Sequence, residues 1–236
     1  MEAVSDDPPA VASGPAGEVP WYRRVGPKMI ALWRLKLTGI LVLMTAFFAA
    51  YILVLRFPIY PVTVMPVLGV DRLIGFQPWT LGLYLTLWCY IPLAPLMLVS
   101  RRELRAYALA AIALSLAGLA IFLIWPTQVA LPAVVWGRYP GFVALKAIDH
   151  SGNACPSLHA AFAVFSAIEL GRELRRNGEP GPFRVLNWLW CLGILYATLA
   201  TKQHVVLDLL AGAALGWGTA VGHRLTAPRP SATKGL

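Results

Sequence analysis

Residues 37–55 read LTGILVLMTAFFAAYILVL, nineteen positions without a charge, closed by Arg56. A helix rises 1.5 Å per residue, so about 20 apolar residues cross the roughly 30 Å hydrocarbon core of a bilayer. The run is too long and too uniformly apolar for one face of a soluble helix, and it reads as a membrane-crossing segment. Five further apolar runs follow, bounded by charge or proline: 80–99, 107–124, 156–170, 183–200 and 204–221. The predicted architecture is therefore all-α, an integral membrane bundle of six transmembrane helices.

The composition agrees. Hydrophobic residues make up 58% of the 236 positions and charged residues 13%, with a mean hydropathy of +0.65. A water-soluble globule is far less apolar. The net charge of +9 is no nucleic-acid footprint, because the basic residues fall in short clusters between apolar runs and form no stripe. These clusters alternate. Fifteen of the twenty Lys and Arg flank one side, among them Arg23, Arg24, Lys28, Arg34, Lys36 and Arg101, and five the other: Arg56, Arg72, Arg138, Lys146 and Lys202. The positive-inside bias then places both termini in the cytoplasm, in a plasma membrane of bacterial type, and the second side in the periplasm or exterior. Residues 1–28, rich in proline, are expected to be a disordered cytoplasmic tail, 29–225 the membrane domain, and 226–236 a second disordered cytoplasmic tail. Cys89, Cys155 and Cys191 show no paired spacing and imply neither a metal site nor a complete disulfide set.

The fourth and sixth runs are the least hydrophobic, and each carries polar residues that a lipid-facing helix avoids. Cys155-Pro156-Ser157-Leu158-His159 follows the polar stretch 149–153. A proline suits a first helical turn, and the amides of Ser157 and Leu158 with the Ser157 hydroxyl would face outward as an anion site. The sixth run opens on Lys202-Gln203-His204 and reaches Asp208 four residues later. At that spacing a histidine and a carboxylate share a helix face, and the carboxylate fixes the imidazole tautomer so that the second nitrogen is nucleophilic. Gly212 and Gly216 continue the stripe, and Ala163 and Ala167 lie below His159, a small-residue spacing that brings two helices close. Two histidines and one aspartate are too few for a metal centre without further ligands, so no metal or other cofactor is expected.

PSLH on one helix and HxxxD on a later one, within six spans, resemble the type 2 phosphatidic acid phosphatase superfamily over about residues 37–222. The segments Trp125-Pro126-Thr127, Asn153 to His159, and TKQHVVLDLLAG from Thr201 to Gly212 are most similar to the branch that includes inositol phosphorylceramide synthases. The resemblance implies that His204 is the nucleophile forming a phosphohistidine, Asp208 its orienting partner, and His159 the acid for the leaving oxygen. Its substrate would be a lipid phosphate or diphosphate met among membrane lipids. Two departures accompany it: Leu131 stands at the lysine of the first motif, beside Arg138-Tyr139-Pro140, and Thr198-Leu199 replace a serine-arginine pair. Phosphate charge would then fall to Lys202, Lys146, Arg138 and Ser157. Water as acceptor makes a phosphatase; a lipid hydroxyl makes a headgroup transferase of the inositol phosphorylceramide synthase type. A non-catalytic lipid-binding protein of the same architecture is the remaining reading.

Overall fold

The computed structural model describes residues 21–130, 134–148 and 152–227. The first twenty residues, residues 131–133 with Leu131 among them, the polar positions 149–151 and residues 228–236 lie outside that range. The chain is mostly helical. Helix α1 (Trp21–Ile30) leads into α2 (Trp33–Arg56) through Leu32, whose φ is 57°. Residues 21–28, assigned to the tail by composition, are thus helical, and the Lys28 ammonium bonds to the Asn177 side chain. The run 80–99 is interrupted: it forms α4 (Thr80–Leu85), α5 (Leu87–Tyr90) and α6 (Leu93–Leu96), preceded by the short α3 (Gly69–Leu73). Pro92 and Pro95 lack the amide that would continue the ladder.

Helix α7 (Arg101–Ile124) starts where the Ser100 hydroxyl accepts from the Arg102 amide at 3.3 Å, an N-cap. Helix α8 (Pro140–Ile148) lies in the long connection after it. The C-terminal half is α9 (Leu158–Arg176), α10 (Gly181–Ala200) and α11 (Val206–Thr226). Helix α9 closes with Gly178 at φ 68°, the Gly178 and Glu179 amides returning to Arg175 and Leu174; this is the glycine-terminated reversal that satisfies the last carbonyls. Pro180 and Pro182 then open α10. Helices α2, α7 and α10 are long and apolar enough to cross a membrane. Helix α9, of 19 residues, is nearly as long as α10 but carries Glu169, Arg172, Glu173, Arg175 and Arg176 toward its end.

Sequence periodicity did not anticipate a pair of short parallel strands, β1 (Thr63–Met65) and β2 (Thr127–Val129), in register Thr63 to Thr127. They join the chain leaving α2 to the chain leaving α7 and hold one end of the bundle together. At the core of the fold α9 packs against α11, α10 and α7, with Leu114, Phe122, Ala161, Phe165, Ile194 and Ala220 buried. Cβ atoms added at Gly212 and Gly216 would meet the carbonyl oxygens of Ser157 and Ala161 at 2.0 and 2.1 Å. The α9–α11 contact is therefore backbone against backbone, as the small-residue spacing implied. Asn187 on α10 cross-links the same core, accepting from the Tyr90 hydroxyl at 2.6 Å and donating to the Ala167 carbonyl at 2.9 Å.

Candidate active site

The strand pair positions the entry to α9. Thr127 accepts the Cys155 amide on its hydroxyl at 2.7 Å and the Ala154 amide on its carbonyl. Asn153 takes φ 50°, a left-handed conformation that asparagine tolerates, and its amide donates to the Tyr51 carbonyl. The Cys155–Pro156 bond is cis. Helix α9 begins at Leu158, with Ser157 as its N-cap accepting the Ala160 amide at 3.2 Å. This differs from the sequence expectation. Pro156 lies before the helix, and the Ser157 amide is not an open anion donor, since it gives its hydrogen to the Asp208 carbonyl at 2.8 Å. Ser157, wholly buried, joins the starts of α9 and α11.

The other half of the site is the turn from α10 into α11. Lys202 adopts φ 56°, and the Lys202 and Gln203 amides return to Leu199 and Thr198. The position is one that glycine usually fills. The lysine is held there by its side chain, whose ammonium donates to the carbonyls of Asp71, at 2.9 Å, and of Ile74. Asp71 is itself buried; its carboxylate accepts the Leu68 amide and, from the start of α11, the Val206 amide, both at 2.8 Å. The Asp71–Lys202 clasp bolts the loop around α3 to the turn that carries His204. Sequence reading missed Asp71: its only local signal was an acidic residue in the first turn of a five-residue helix.

Within this frame Nδ1 of His204 lies 3.1 Å from Oδ2 of Asp208, with both residues buried. The His159 ring stands 5.9 Å from that of His204, centroid to centroid. Tyr84 stacks on His159 at 4.3 Å and places its hydroxyl 3.3 Å from Nδ1, while Trp88 meets the same ring edge-on at 5.8 Å. Nε2 of His159 is buried and has no hydrogen-bond partner among the described residues. Tyr84 is a second residue the sequence did not single out, because an aromatic in an apolar helix carries no signal of its own.

The structure thus brings His159, His204, Asp208 and Ser157 together. Lys202 is adjacent in the chain, but its ammonium is engaged with the loop carbonyls. Arg138 is exposed in a turn of 3-10 helix, residues 136–138, and Lys146 sits over the Trp136 ring at 4.4 Å. That ring belongs to an aromatic group with Phe76, Tyr139 and Phe142. Thr198, at the serine of the missing pair, is buried and turned back onto the Leu195 carbonyl. Among the described residues no group of three or more His, Cys, Asp or Glu side chains is placed to hold a metal ion. An apolar groove of about 670 Å³ runs between α2, α6 and α7 and reaches Trp88 and Phe162, the former in contact with His159.

The chain matches no curated protein and no solved structure. Residues 67–221 match the family model described as the PAP2 superfamily, a span that contains Tyr84, both site histidines and Asp208 and covers more than half of the 236 residues. The chain belongs to the PAP2 superfamily, whose members are phosphatases acting on phosphate esters.

Proposed function

We propose that this protein is a membrane enzyme that cleaves a lipid phosphate or diphosphate through a phosphohistidine on His204, without a metal ion. The observation that carries the reading is the His204–Asp208 pair at 3.1 Å, facing a second histidine. A carboxylate accepts but cannot donate, so it holds the His204 proton on Nδ1 and leaves Nε2 bare for in-line attack on phosphorus. His159 protonates the departing oxygen and then takes a proton from the water that attacks the phosphohistidine. Water as acceptor gives phosphate release.

The apolar groove that reaches Trp88, whose ring meets His159, supports a substrate with an apolar tail. Six spans with cytoplasmic termini follow from the alternating charge, if the interrupted segment α4–α6 and helices α9 and α11 cross along with the three long apolar helices. The site is then on the outer face. Transfer of a phospho-headgroup to a lipid hydroxyl, the reaction of the inositol phosphorylceramide synthase branch, uses the same intermediate. It is favoured by Thr198-Leu199, which leave no arginine where hydrolytic relatives are expected to carry one.

Purified protein in detergent, treated with chelator, is to be assayed against a panel of lipid phosphates for phosphate release and for headgroup transfer, beside His204→Ala. Activity in the parent and none in the variant is expected, with acid-labile radiolabel on His204 after brief exposure to labelled substrate. Equal activity in the two proteins removes the nucleophile assignment, and no product from either favours the non-catalytic, lipid-binding reading.

A further inference from the structure

The two site histidines have different partners on the same ring atom, Nδ1. For His204 it is a carboxylate, which can only accept. For His159 it is the phenol of Tyr84, 3.3 Å away, which can donate or accept. We infer that Tyr84 is a positioning residue that keeps the His159 proton on Nε2, so that the two histidines rest in opposite tautomers, one a nucleophile and the other a donor. The inference rests on the reaction proposed above and adds the device that separates the two roles.

The chemistry follows from the partners. In the resting enzyme with His159 neutral, the Tyr84 hydroxyl donates to bare Nδ1, and the single ring proton sits on Nε2. When the ring is charged, the hydroxyl turns and accepts from Nδ1–H, and Nε2 still carries its proton. A carboxylate in place of the phenol would pull the neutral ring's proton to Nδ1 and make a second nucleophile. The stacked ring at 4.3 Å and Trp88 at its edge fix the imidazole plane, and Nε2 is the buried nitrogen without a partner among the described residues. In the first step His204 Nε2 forms the N–P bond as the P–O bond breaks. The leaving oxygen keeps the electron pair and takes the Nε2 proton of charged His159. For the life of this intermediate His159 is the neutral Nδ1–H ring, with Nδ1–H directed at the Tyr84 oxygen and Nε2 bare, the reverse of its resting tautomer. In the second step water gives a proton back to Nε2 as its oxygen bonds phosphorus and the N–P bond breaks.

Tyr84→Phe preserves the stacked ring and removes only the hydroxyl, and two readouts test it. The first is kcat/KM for an alkyl phosphate, whose leaving oxygen needs a proton, against p-nitrophenyl phosphate, whose leaving phenolate needs little help. A positioning role predicts that the variant loses about tenfold more on the alkyl ester, less than the roughly 10²–10⁴-fold a general acid contributes, because the His159 ring itself remains. Equal losses on both esters, or none on either, overturn the inference. The second is the ¹⁵N spectrum of histidine-labelled protein, with His159 assigned by His159→Gln. The parent's neutral ring is expected in the Nε2–H form and the variant's in a mixture; an Nδ1–H ring in the parent overturns the inference. If the parent cleaves neither ester yet shows the Nε2–H ring that Tyr84→Phe erases, the role of Tyr84 in orienting His159 stands and the proposed reaction is what fails.

Discussion

Asp208 has no exposed surface, and among the described residues its Oδ1 has no partner. A carboxylate kept so dry is costly unless its position matters. Asp208→Asn retains the shape but can present an N–H to His204, which reverses the tautomer. It is expected to lower kcat by about 10²–10⁴-fold, as the loss of an orienting carboxylate does elsewhere, with the folded fraction in detergent unchanged; full activity would detach Asp208 from the histidine. Cys155 gives a second test at this scale. Burial, with the Asp208 charge adding to it, pushes its thiol up to about 11, so the reactive thiolate is scarce below that pH. Mass spectrometry after iodoacetamide at pH 8 should find Cys155 unmodified in the folded protein and modified after denaturation. The HxxxD spacing made the His204–Asp208 contact legible, though not by the helix face it suggested: His204 sits in the turn just before α11 and reaches back to Asp208 in that helix's first turn. The Tyr84–His159 contact was not legible, because it joins residues 75 positions apart through tertiary packing.

At the scale of elements, the site depends on two joints. One is the α9–α11 contact. A methyl at Gly212 would stand 2.0 Å from a carbonyl oxygen that is main chain and cannot rotate away, so Gly212→Ala must push the helices apart. The expected cost is at least the 1–3 kcal/mol typical of overpacking, about, read as a lower melting temperature together with lost activity. Gly218 meets nothing within 4 Å, so Gly218→Ala serves as the neutral control. The other joint is the Asp71–Lys202 clasp. Asp71→Ala strips the acceptor from two backbone amides, each worth about 1–3 kcal/mol if left unpaired in a buried place, and should lower both stability and kcat by loosening the His204 turn. A stable variant with unchanged kcat would show that the turn holds itself. The positions of α2, α7, α9, α10 and α11 were readable to within a few residues from apolar runs and prolines, and the glycine spacing announced the close contact. Helices α1 and α8 were not readable, and the run 80–99 read as a single span. The strands and α3 were not readable, because three to five residues are too few to show a period.

For the whole molecule, polar chemistry gathers at one end of the bundle, while Glu169–Arg172, Glu173–Arg176 and Arg176–Glu103 ion pairs gather at the other. Cysteine-accessibility or reporter fusion at the C-terminus is expected to place that end in the cytoplasm; an external C-terminus would invert the site to the inner face. Bulk in the groove, as in Ala111→Trp, should lower kcat/KM for long-chain phosphates more than for short-chain ones, and equal effects would disconnect the groove from the substrate. The apolar composition made legible the helices long and apolar enough to cross a membrane, whereas the helix break at Pro92 and Pro95 and the groove depend on how the helices lean together. The backbone contact between α9 and α11 carries one more implication. Because His159 rides on α9 and His204 on the turn that opens α11, and the two helices cannot slide past one another, changes in α2, α7 or residues 134–148 are expected to leave the spacing of the two rings intact. Substrate choice and chemistry can therefore diverge on separate evolutionary clocks within one fold.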